Sequence, residues 1–87
     1  MYGFSVIDLE DGEEILVSDP YELYADAKAA LISYLEGRAD HYAEYGAMEE
    51  SHAIDEAIKF LMLTDEWAKV YSSTINWKVQ IESVDNA

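Results

Sequence analysis

Two rhythms of apolar and polar residues run along this 87-residue chain. Residues 2–9 (YGFSVIDL) and 14–18 (EILVS) are β-branched and apolar, separated by Glu10-Asp11-Gly12-Glu13. An Asp-Gly pair suits a tight type I′ turn, in which both central residues take positive φ. The pattern predicts a β-hairpin. Near the other end, Ile75, Trp77, Val79 and Ile81 alternate with Asn76, Lys78, Gln80 and Glu82. That period of two predicts a half-buried strand, placed beside the hairpin.

Between these segments the period lengthens to that of a helix. Leu23, Ala27, Ala30, Leu31, Tyr34, Leu35, Tyr42 and Tyr45 share one broad face at 100° per residue. Asp19 is placed as an N-cap, Pro20 suits the first helical position, and Glu22 stands three residues after Asp19 as in a capping box. A first helix is predicted from Pro20 to about Tyr45, interrupted only by Gly37 and stopped by Gly46. A second follows from Glu49 to Leu63, with Ile54, Ala57, Ile58 and Leu61 at helical spacing and Glu49 and Glu50 near its positive end. Extending it would carry Asp65 onto the apolar face, so a break is expected near Thr64, and a short helix is preferred to a strand over 65–72. The predicted fold class is α+β, order β-β-α-α-(α)-β: two main helices packed on one face of a small antiparallel sheet. The length and the absence of linkers or repeats imply a single domain over 1–87.

Charge changes the picture most. Nineteen Asp and Glu stand against five Lys and Arg, a formal charge of −14. It is unevenly spread: residues 1–56 hold fifteen acids against Lys28 and Arg38, a balance of −13, and residues 57–87 are close to neutral at −1. Self-repulsion on this scale opposes compaction, yet an apolar content of 51% is ample for a core. Direct binding to nucleic acid or to an anionic membrane needs a cationic footprint, so neither is expected; a basic protein is the expected partner. Cysteine is absent, which excludes disulfides and thiolate chemistry, and no long apolar run or basic leader is present, so a cytoplasmic location is expected.

On the helical wheel Glu22, Asp26, Glu36, Asp40 and Glu44 fall within about 80°, opposite the apolar face, in a stripe about 33 Å long. Lys or Arg usually tempers such a row, because like charges four residues apart destabilise a helix by about 0.2–0.5 kcal/mol per pair. Here none interrupts it. One DNA strand carries a charge about every 3.4 Å, twice what the stripe offers, so mimicry of nucleic acid needs more acids. The turn (Asp8, Glu10, Asp11, Glu13, Glu14) and the junction between the helices (Glu49, Glu50) are the available ones. Tyr42 and Tyr45, with Tyr24, are candidate anchors beside them, since tyrosine is enriched at interface hot spots. The bland reading is that these acids are a solvated outer face that keeps a small protein dispersed.

No nucleophile with a base, and no carboxylate pair in a cleft, can be assembled from the sequence, so an enzyme is not expected. His41 and His52 read as surface or partly buried histidines; a metal site from His41, Glu44 and His52 is the weaker alternative. The run from Asp8 to Gly12 has its glycine one place early for a calcium loop, and Asp19 stands where a terminal Glu is required. No cofactor or metal is expected, and the oligomeric state is left at monomer or homodimer.

In small size, acidity and lack of catalytic motifs the chain resembles phage-encoded inhibitors of host defence, such as anti-CRISPR and anti-restriction proteins. The resemblance is one of general character and carries over no residue. It implies a nucleic-acid mimic that blocks the basic DNA- or RNA-binding cleft of a CRISPR effector or restriction enzyme in the host cytoplasm. The alternatives are an immunity protein or antitoxin against a basic nuclease, and a non-enzymatic adaptor that binds through apolar residues.

Overall fold

A computed structural model describes residues 1–63 and 66–84 of the chain. The elements are β1 (Tyr2–Asp8), β2 (Glu14–Val17), α1 (Tyr24–Glu44), α2 (Met48–Leu63), β3 (Trp67–Tyr71) and β4 (Asn76–Ser83). They form three antiparallel hairpins in succession: strand-strand, helix-helix, strand-strand. The strands make one antiparallel sheet in the order β2-β1-β4-β3, so the first and last strands of the chain pair at its centre, from Tyr2↔Ser83 to Asp8↔Trp77.

The pleat sorts the strand residues. Phe4, Val6, Ala68, Val70, Trp77, Val79 and Ile81 face inward and are buried with Ala27, Leu31, Leu35 and Ala39 of α1 and Ile54, Ala57, Ile58 and Leu61 of α2. Both helices therefore cover the same face, as their periodicity predicts. Ser5, Ile7, Lys69, Lys78, Gln80, Trp67 and Tyr71 lie at the alternate positions of the strands, on the other face.

The predicted type I′ turn does not form. Gly12 has φ 78°, but among the described residues none other than glycine has positive φ, so Asp11 does not take the second left-handed position. Residues 9–13 instead make a longer turn, closed by Asp8 N–H to Glu13 C=O and Gly12 N–H to Asp8 C=O, both 2.8 Å. A bulge between Val6/Leu16 and Ile7/Glu14 absorbs the extra length.

The first helix begins at Tyr24, four residues later than its capping signal predicts. The chain after β2 stays extended along β1: Ser18 N–H donates to Phe4 C=O, and Tyr2 and Tyr21 exchange backbone hydrogen bonds of 2.7 and 2.6 Å. Two sheet hydrogen bonds at Tyr21 outweigh a cap at Asp19 and leave Leu23 as an N-cap without a side-chain bond. The stop falls where expected. Gly46 (φ 75°) donates to Ala43 C=O and Ala47 N–H to Tyr42 C=O, the paired bonds of a Schellman motif.

The short helix preferred over 65–72 is a strand. Trp67, Lys69 and Tyr71 are exposed and Ala68 and Val70 buried, a period of two, and β4 supplies the pairing partner that a sequence window does not show. The order is thus β-β-α-α-β-β. The break expected near Thr64, with Asp65, lies outside the described residues. The β3–β4 turn is held by the Ser72 hydroxyl, which accepts from Thr74 and Ile75 N–H.

Leu35 is fully buried between the layers and Leu63 is 83% exposed. Urea unfolding of the monomer is expected to show Leu35→Ala less stable by about 2–5 kcal/mol and Leu63→Ala changed by less than about 0.5 kcal/mol.

Candidate acidic interaction surface

The sheet register decides which acids meet. Asp8 stands opposite Trp77 and Tyr71 opposite Asn76, and Leu9 N–H donates to Asn76 C=O, so the β1–β2 turn and the β3–β4 turn emerge side by side at one end. The strand spacing puts them about 10 Å apart. The N-terminus of α2 is fixed at that end too: Glu49 accepts from Ser73 Oγ at 2.6 Å and from Ser73 N–H at 3.2 Å. The short Tyr45–Ala47 connection brings the C-terminus of α1 alongside.

One end of the molecule therefore carries Asp8, Glu10, Asp11, Glu13 and Glu14 from the turn, Glu44 from α1, and Glu49 and Glu50 from α2, with Asp40 one helical turn behind Glu44. Segments 8–14, 41–50 and 72–75 contain no Lys or Arg. The nearest base in the register is Lys78, opposite Ile7, and its ammonium lies 5.5 Å over the Trp67 ring. Among the described residues the ion pair found is Lys59 with Glu56, at 3.7 Å on the exposed side of α2. Arg38 turns toward Tyr42 instead, with Nη2 donating to the phenol at 3.4 Å and the guanidinium 5.3 Å over the ring. The gathered carboxylates are not neutralised internally.

Not every candidate acid belongs to this end. Asp26, Glu36, Asp40 and Glu44 remain exposed on one side of α1 over about 27 Å, but Glu22 precedes the N-cap and is not part of the helical row. Glu22 and Asp26 sit at the far end, beside Tyr2 and Tyr21, with Glu36 between. The continuous stripe from Glu22 to Glu44 is thus shortened at its start, and its C-terminal half merges with the acidic end.

Several acids also have local duties. Asp8 Oδ1 accepts from Glu10 N–H and Asp11 Oδ1 from Glu13 N–H, both at 2.9 Å, two Asx turns that shape the loop. Glu50 is half-buried and its Oε2 is closed off from solvent without a hydrogen-bond partner. Glu10, Glu13, Glu14, Asp40 and Glu44 are exposed and project into water.

Of the tyrosines, Tyr45 is 77% exposed beside Glu44, with His41 packed edge-on at 4.9 Å. Tyr42 is half-buried against the core under Arg38, and Tyr24 packs on Tyr2 at the opposite end. Tyr45 is the more exposed ring beside these acids, and Tyr42 is only partly accessible. His41 is exposed. Among the described residues no three His, Asp or Glu side chains converge to hold a metal, and no helix is long and apolar enough to cross a membrane.

Nothing in the sequence points to Ser73 reaching Glu49 across the fold, and sequence reasoning missed Trp67, Lys69 and Tyr71 as residues of one strand. The alternation of exposed Trp67, Lys69 and Tyr71 with Ala68 and Val70 was the available signal for the latter. Comparison with protein-family models, with curated proteins and with solved structures returns no match.

The two bonds from Ser73, the hydroxyl first and the backbone N–H second, hold the Glu49 carboxyl below its ordinary value of 4.5. A depressed carboxyl adds stability that is present above its unfolded value and lost as pH falls through the lowered folded value. Glu49→Gln is therefore expected to lower the urea midpoint at pH 7, and the difference from the native protein to shrink as pH falls through the lowered folded value and Glu49 loses its charge. A deficit that does not shrink as pH falls would show that the charge contributes nothing.

Proposed function

We propose that the protein is a non-enzymatic inhibitor that fills the basic nucleic-acid-binding cleft of another protein with its acidic end. The reading rests on one observation: acids from three separate elements share an end that contains no Lys or Arg. Glu10, Glu13, Glu14, Asp40 and Glu44 are the contacting carboxylates, Asp11, Glu49 and Glu50 add charge around them, and Tyr45 is the anchoring ring. Asp26 and Glu36 extend the negative field along α1. Glu22 lies farthest from the surface and contributes least.

The physical logic is competitive. A cleft built to hold phosphates is lined with Lys and Arg, and a rigid array of carboxylates is steered into it by the same long-range field that brings in nucleic acid. Occupancy then excludes the true ligand. CRISPR effectors and restriction enzymes in a host cytoplasm are the target class that the general resemblance suggests, and a basic nuclease toxin offers the same chemistry. Solubility alone is a poor account of the arrangement, because a mixed surface disperses a small protein with less self-repulsion.

Charge reversal separates function from stability. In α1, Asp40 lies four residues from both Glu36 and Glu44, so Asp40→Lys exchanges two repulsive pairs for two attractive ones. The fold is expected to gain about 1 kcal/mol. The test is displacement of fluorescent DNA from a panel of CRISPR effectors, restriction endonucleases and nuclease toxins. The native protein is expected to displace DNA from at least one, with affinity falling about tenfold or more between 50 and 300 mM salt. Asp40→Lys with Glu44→Lys leaves positions 40 and 44 like-charged but turns the repulsion between 36 and 40 into attraction, and is expected to abolish displacement without lowering the melting temperature. Displacement that survives this double reversal would remove the acidic end from the mechanism.

A further inference from the structure

The two edges of the sheet are unlike. The β2 edge has four residues, a bulge, Glu14 at its start and Pro20 soon after its end, the features that blunt an edge against further pairing. The β3 edge has neither bulge nor proline, and its five residues carry one central charge, Lys69. Glu66 C=O accepts from Ile81 N–H and Ser72 N–H donates to Ile75 C=O, so the even-numbered residues turn their backbone groups toward β4. The N–H and C=O groups of Trp67, Lys69 and Tyr71 therefore point off the open edge. Beside them α2 and β3 form a cleft of about 370 Å³ lined by Glu56, Ala57, Phe60, Trp67, Ala68 and Lys69. Phe60 and Trp67 are each 48% exposed, and Tyr71 is 71% exposed.

We propose that a second copy of this chain occupies that edge, with β3 paired antiparallel to its counterpart about a two-fold axis through Lys69. The two four-stranded sheets then become one of eight strands. Charge points to this occupant and this place. Residues 1–56 carry a balance of −13, and the β3 edge belongs to the part of the chain that carries −1, so two molecules of charge −14 meet here with the fewest acids in the contact. The geometry is self-complementary. With odd-numbered residues facing outward, the axis sets Trp67 opposite the partner's Tyr71 in a hydrogen-bonded pair, and symmetry repeats that aromatic pair. Phe60, Leu63, Trp67 and Tyr71 together expose on the order of 500 Å² of side chain, so two copies offer roughly 1,000 Å², the lower bound of a specific interface. The one opposed contact is Lys69 against itself.

This goes beyond the acidic-end proposal and uses none of its residues, and salt acts on the two with opposite sign. Salt weakens capture of a basic partner, whereas it screens both the −14 charges and the Lys69 pair and so strengthens the dimer. Sedimentation equilibrium of the native protein from 5 to 500 µM is expected to show a reversible monomer–dimer equilibrium whose dimer fraction rises from 50 to 500 mM salt. Lys69→Pro removes an outward N–H without removing a β3–β4 hydrogen bond, and Phe60→Glu places a charge in the cleft. Each is expected to weaken the dimer at least tenfold with an unchanged circular dichroism spectrum. Lys69→Glu mixed with the native chain is expected to form a heterodimer tighter than either homodimer. A native protein monomeric at every concentration and salt overturns the proposal, as does a dimer that Phe60→Glu leaves intact.

Discussion

The antiparallel pairing of β1 with β4 is the constraint on which the rest of the structure depends. It joins the two ends of the chain at the centre of the sheet, and its register, from Tyr2↔Ser83 to Asp8↔Trp77, decides which loops share an end. A two-residue change in this register would slide the acidic β1–β2 turn away from the turn that holds Glu49. The charge cluster is therefore a property of strand pairing and not of any one helix. The Glu49–Ser73 bonds complete it by tying the start of α2 to the same end.

Gathering like charges works against folding, and the chain offsets this in identifiable ways. Asp8 and Asp11 are used as turn formers, so part of the charge is employed in closing the loop. The exposed acids of α1 sit over Ala27, Leu31, Leu35 and Ala39, whose burial fixes the helix whatever its outer face carries. Exposure to water and salt keeps the repulsion among Glu10, Glu13, Glu14, Asp40 and Glu44 small. What remains is a negative field at one end of the molecule.

Much of the fold was legible in the sequence because periodicity reports burial. The alternation of 75–82, the helical spacing of Ile54, Ala57, Ile58 and Leu61, and Gly46 as a stop each describe an element that is present within a residue or two. What was not legible depends on partners distant along the chain. Asp19, Pro20 and Glu22 spell a helix start, but Tyr2 claims Tyr21 for the sheet. Trp67–Tyr71 is too short for its period to be decisive without β4 beside it. Asp26, Glu36, Asp40 and Glu44 are exposed on α1; the merging of this row with the turn and the α2 start depends on a register that no local window contains. Tyr42 under Arg38 is by contrast an i, i+4 contact within α1, the kind that a local window does contain.

The central claim is that the folded chain concentrates negative potential at the end formed by residues 8–14 and 40–50. Solvent paramagnetic relaxation with a cationic and an anionic nitroxide measures local potential residue by residue. The account requires the cationic probe to be most enriched at residues 8–14 and 40–50, weaker around Asp26, and least enriched along β3 and β4. An even distribution over the surface, or a maximum at the Asp26 end, would contradict it.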